Sequence, residues 1–159
     1  MALGRSPEVL LLPPSGVDSH TPTQPAGDDR PLRLLERTPV GAEHKERLFH
    51  LVRQGQAQAA AAGAELQAEF GAEHVALIVG CNQFIRLFRS GPEPGAVELL
   101  LPDDGKTALA EAGFTLREPA GLVFKLFGWV RVDPMQGPAP ALDAAVASAF
   151  AKAKSSKKR

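Results

Sequence analysis

Leu122-Val123-Phe124-Lys125-Leu126-Phe127-Gly128-Trp129-Val130-Arg131-Val132 closes the stretch Gly95 to Val132, on which the fold reading turns. It carries β-branched and aromatic residues and the chain's only tryptophan, and it predicts a strand. Gly128 inside it predicts a bulge or a close backbone approach. Working back, a turn at Pro119-Ala120-Gly121 separates it from a second strand, Phe114–Glu118. Before that, Pro102-Asp103-Asp104 opens a short helix with an aspartate as its cap, and Gly113 closes it. Ala96–Leu101 reads as a strand in front of that helix.

Further out, His74–Val79 and Gln83–Arg89 are strand-like runs around Gly80-Cys81-Asn82, which predicts a hairpin. In the second run, Ile85, Leu87 and Arg89 share one face and Phe84, Arg86 and Phe88 the other. From Thr38-Pro39 to Phe70, apolar and small residues recur as Leu48, Val52, Gly55, Ala59, Ala62, Leu66 and Phe70. Steps of three and four predict one long helix, with Thr38 as its cap and a kink or break open at Gly55 or Gly63. After the Pro134–Pro140 loop, Ala141–Lys154 predicts a final helix whose lysines sit where the helix dipole favours them. The result is an α+β domain: an antiparallel sheet of about five strands, with a long N-terminal helix and a C-terminal helix packed on one face.

Residues 39–154 make that single domain, and residues 155–159 a basic tail. Residues 1–38 read as a disordered proline-rich arm, because so few apolar residues cannot offset the entropy of ordering. Two apolar clusters interrupt it, Val9–Leu12 and Leu32–Leu35. Either they are residual tail composition, or one of them docks on the domain or on a partner.

Composition excludes more than it assigns. The one cysteine, Cys81, excludes a disulfide framework and a cysteine-rich zinc site, and suits a reducing, cytoplasmic interior. The apolar run Val9–Leu12 is too short for a signal-peptide core or a membrane span. No glycine-rich phosphate loop is present, and His20, His44, His50 and His74 lack the companions that metal ligation or triad chemistry needs. No cofactor or metal and no catalytic motif is expected. Asp103-Asp104 reads as capping rather than as a catalytic carboxylate pair, and Cys81 has no base in view. Net charge is zero, yet residues 41–149 carry nine basic and thirteen acidic side chains, and residues 150–159 five basic and none acidic. Any affinity for a polyanion therefore belongs to a local patch or to the tail.

The local patch is Arg86, Arg89, Lys125, Trp129 and Arg131, drawn from two strands. If the strands adjoin, basic groups beside an exposed aromatic suit single-stranded nucleic acid or another anionic partner. The alternative is that Trp129 is core and the arginines are solvated charges. The tail group is Lys152, Lys154, Lys157, Lys158 and Arg159. A second functional reading needs neither group: a protein-interaction or homo-oligomeric module that uses the small-residue helix face and the arm.

From Gly95 onward, Leu109–Gly113, Gly128-Trp129-Val130-Arg131-Val132 and Ala141–Lys154 resemble the small bacterial MmcQ/YjbR-like and TfoX N-terminal-like domains. The resemblance covers about the last 65 residues. It implies a compact α+β fold, in a group often labelled DNA-binding.

Overall fold

Leu77 and Phe84, on the two arms of one hairpin, mark where the helical layer meets the sheet. The computed structural model describes residues 23–25, 29–119 and 127–155. Along the chain come β1 (Thr23–Pro25), α1 (Arg30–Leu35), α2 (Ala42–Ala62), β2 (Leu66–Phe70), β3 (His74–Val79), β4 (Asn82–Phe88) and β5 (Val97–Leu100). Then follow α3 (Asp103–Glu111), β6 (Trp129–Val132) and α4 (Ala139–Ser155). The strands form one six-stranded sheet in sequential order, with every neighbouring pair antiparallel. No helix among the described residues is long and apolar enough to cross a membrane.

Alternation decides the two faces of the sheet. Leu66, Ala68, Val75, Leu77, Ile85, Leu87, Val97, Leu99, Val130 and Val132 join the core cluster with Leu48, Leu51 and Val52 of α2 and Leu142, Val146 and Phe150 of α4. A register shift opposite Leu77 and Ile78 adds one residue to β4. That bulge turns Phe84, expected on the far face, into the core, where its ring meets Phe150 edge-on at 5.4 Å. Arg86 and Phe88 keep the expected parity and face away from the helices.

α2 runs unbroken through Gly55. A Cβ there would stand 2.8 Å from Leu77 Cδ1 and 3.4 Å from Phe84, so glycine lets the helix approach the sheet closely. Of the small-residue face, Gly55 and Ala59 are thus used inside the domain, while Ala62 is exposed.

The long helix expected to reach Phe70 stops at Ala62 instead. Gly63 takes the left-handed conformation (φ +63°) and its amide reaches Ala59 O and Ala60 O. Leu66, Ala68 and Phe70 then alternate with Gln67 and Glu69 as strand β2. Thr38 does not cap α2, which starts behind Gly41 with no side-chain cap. Buried Thr38 closes α1, its hydroxyl donating to Leu35 O at 2.7 Å. The following Pro39 disfavours helix at Thr38, which delays α2. Residues 30–35, placed in the arm by sequence, form α1 with Pro31 and Leu35 buried. Of the two apolar clusters, Leu32–Leu35 therefore docks on the domain; Val9–Leu12 lies outside the described residues.

Pro102, not an aspartate, occupies the cap position of α3, with Asp103 and Asp104 in its first turn. Phe114–Glu118 is not a strand: it makes one antiparallel bridge, Arg117 to Arg131, with both amide bonds at 2.9 Å. Pro119, with no N–H, cannot extend that ladder. Within the opening stretch the described strand is Trp129–Val132, and residues 120–126 lie outside the described residues.

Candidate functional site

Cross-strand pairing sets Glu69, Ala76, Arg86, Glu98 and Arg131 in one row across the face turned away from α2 and α4, continued by the bridge to Arg117. The centre of the row is Glu98, whose carboxylate is fully buried. Arg86 Nη1 donates to its Oε1 at 2.8 Å, while Arg131 donates to Oε2 from Nε at 3.0 Å and from Nη2 at 2.9 Å. Glu93, from the β4–β5 loop, accepts from Arg131 at 3.2 Å and from both terminal nitrogens of Arg117 at 2.8 and 2.6 Å. The Arg117 hydrogen bond draws the Glu93 carboxyl below its usual range, and Glu93 in turn raises Arg117. Phe88 lies under both inner guanidinium groups, 4.5 Å from Arg131 Cζ and 5.2 Å from Arg86 Cζ.

The row brings Arg86 and Arg131 onto one face, but their strands do not adjoin: β5 lies between them and supplies Glu98. Both are partners of buried glutamate rather than open cations. Burial, opposed by Glu98, lowers the Arg86 guanidinium from its usual value. A charge pair this desolvated depends on its partners, and its guanidinium groups already have carboxylates. Trp129 is 6% exposed, so the exposed aromatic expected on this face is buried. Arg89 diverges from Arg86, donating to Gly71 O at 3.2 Å near the β2–β3 turn.

His74 stacks on Phe88, with ring centroids 5.6 Å apart. Burial, then Arg86 and Arg89, lower its pKa from 6.5 to about 4. The folded chain thus refuses a proton that the unfolded chain accepts below pH about 6.5. This contribution leaves stability flat above pH 6.5 and lowers it as the pH falls toward 4. An NMR titration of the imidazole should give a midpoint near 4. A midpoint at the ordinary value would contradict the packing around His74.

A second group of charges lies at another corner of the domain. Lys152 of α4 extends its ammonium to Leu101 O at 3.1 Å and Phe127 O at 3.4 Å. Gly128 (φ +98°) makes this approach possible, since a Cβ there would meet Lys152 Nζ at 2.7 Å and Leu101 O at 3.1 Å. Lys106 Nζ is 3.9 Å from the same point. Burial first and then Lys106 lower the Lys152 pKa, while Asp103 acts against them. Phe127 is 57% exposed, the most exposed large apolar residue of the described chain. Lys154 points elsewhere, beside Glu65, Gln67 and Gly80. Lys125, Lys157, Lys158 and Arg159 lie outside the described residues.

No protein-family model, curated protein or solved structure matches the chain. Site chemistry alone therefore separates the readings. His50, paired with Asp143 at 2.8 Å, lines a cleft of about 660 Å³ together with Glu43, Glu46, Arg47 and Met135. No group of three or more metal-ligating side chains occurs among the described residues. Cys81 is exposed at the β3–β4 turn.

Sequence reasoning missed Glu93, Glu98, Lys106, Arg117 and Phe127. Glu98 alone gave a signal, as the one charge inside Ala96–Leu101.

Proposed function

We propose that the chain is a small binding module that contacts nucleic acid through the corner formed by Lys106, Lys152 and Phe127, together with the basic tail at Lys157, Lys158 and Arg159. The observation that carries this reading is the convergence of two ammonium groups on Gly128, the residue that follows the exposed Phe127, while Arg86 and Arg131 are committed to glutamates. The tail follows directly on α4, the helix that supplies Lys152. The resemblance to the MmcQ/YjbR-like and TfoX N-terminal-like domains accords with this proposal. Asp103 and Asp104 weaken the local potential, and the acidic body repels a polyanion elsewhere, so affinity is expected to be modest and strongly salt-dependent.

Oligonucleotide titrations at several salt concentrations test this. Removing residues 156–159 takes away three cations, so the slope of log affinity against log salt should fall by about 2 to 3 on the usual 0.7–0.9 per contact. An unchanged slope would remove the tail from the proposal.

A protein-interaction reading has one observation in its favour, the exposure of Met135 at the rim of the α2–α4 cleft. Apolar docking there would respond little to salt.

A further inference from the structure

The Lys106–Lys152–Phe127 corner differs from a plain cationic surface in one respect: it includes an exposed phenyl ring on a clamped backbone. Residue 127 is held by its own carbonyl, 3.4 Å from Lys152 Nζ, and the same ammonium reaches Leu101 O at 3.1 Å. Leu101 N in turn donates to Gly128 O at 3.2 Å, so the end of β5 and the start of β6 are tied beside the ring. Lys152 is therefore a positioning residue, fixing the platform through its backbone. Lys106 projects from α3 toward the same glycine and so brings a second ammonium group to the residue that follows Phe127. Duplex phosphates would use the lysines and leave the ring idle, because paired bases are stacked inside the helix. An unpaired base uses both, since every base has a face that stacks on an aromatic ring and a phosphate beside it.

We propose that the nucleic acid is single-stranded, with one unpaired base stacked on Phe127 and an adjacent phosphate held by Lys106. This rests on the nucleic-acid reading above and deepens it. It predicts little preference among base sequences, because stacking is tolerant of base identity.

The test compares the full chain with Phe127→Ala and Phe127→Trp on three probes: an oligodeoxythymidine of about 16 nucleotides, within the usual site size, a duplex of the same length and inorganic polyphosphate. Phe127 is exposed, so neither substitution removes core packing. The single strand should bind tighter than the duplex. Phe127→Ala should weaken it by about 5- to 100-fold, the effect of losing one stacked base, and Phe127→Trp should retain it. Polyphosphate binding should not respond to either change. Single-strand binding indifferent to Phe127→Ala, with polyphosphate still bound, overturns the stacking proposal and leaves the polyanion reading standing. Failure of the full chain to bind any of the three overturns both. A Phe127-dependent association with anionic lipid vesicles, without Phe127-dependent oligonucleotide binding, reassigns the ring to a membrane surface and also overturns the proposal.

Discussion

Glu98→Ala is expected to destabilise the domain by about 3–5 kcal/mol, the usual cost of removing one partner from a buried ion pair. Glu98 is fully buried and accepts from two guanidinium groups, so the substitution leaves two desolvated cations facing each other. Arg131 keeps Glu93 at 3.2 Å, but Arg86 loses its 2.8 Å partner. Thermal unfolding should shift down by on the order of 10 °C or more. The companion result is more telling. Replacing the whole triad, Arg86→Met, Glu98→Leu and Arg131→Met together, removes the buried charges with their mutual attraction. It should be close to neutral or stabilising, with the methionines settling on the Phe88 ring. If Glu98→Ala costs less than about 1 kcal/mol, as for a solvent-exposed pair, the row is wetter than its burial indicates.

Gly55→Val should cost about 2–3 kcal/mol, because the space a side chain needs is already filled. The first added carbon meets Leu77 Cδ1 at 2.8 Å, and Phe84 stands behind it. A β-branched residue has little freedom to turn aside within a helix. Alanine is the informative control. It regains roughly 1 kcal/mol of helix propensity, and its clash is with the flexible end of Leu77, so its net effect should be small. Leu77→Ala alone should lose about 2–5 kcal/mol through the cavity it leaves. Combining it with Gly55→Val fills part of that cavity, so the double variant should be less damaged than the sum by at least about 1 kcal/mol. Strict additivity in equilibrium unfolding would show that α2 and β3 do not meet at this point.

Much of the architecture was legible in local signals. The β3–β4 hairpin followed from Gly80 between two apolar runs, and α4 from its alanine-rich pattern with terminal lysines. The α2–β2 boundary was not legible, because Leu66 and Phe70 are four residues apart and that spacing satisfies both a helix and a strand. Only Gln67 and Glu69 between them carry the period of two. The bulge at Phe84 was hidden for a related reason: strand parity assumes regular register, and one added residue reverses it.

The candidate site was legible in its parts and not in its pairing. Arg86 and Arg131 do share one face, as strand parity allowed, yet a third strand runs between theirs. That strand supplies Glu98, which is 12 residues from Arg86 and 33 from Arg131 in the chain. Sheet order, which composition does not encode, turned two candidate ligand-binding arginines into one buried glutamate's partners. Phe127 was hidden because the strand pattern around Leu122–Val132 made it one apolar residue among many. Its exposure depends on where β6 begins.

The central claim is a division of labour, with the sheet arginines committed to buried Glu98 and the Lys106 corner meeting the ligand. One titration tests it most directly: a single-stranded oligonucleotide at low salt, against the intact chain, the triple replacement of Arg86, Glu98 and Arg131 described above, and Lys106→Gln. Affinity should be unchanged in the triple replacement and several-fold weaker in Lys106→Gln. Binding lost with the triple replacement and kept with Lys106→Gln, in chains that both unfold cooperatively, would contradict the account and return the ligand to the sheet face.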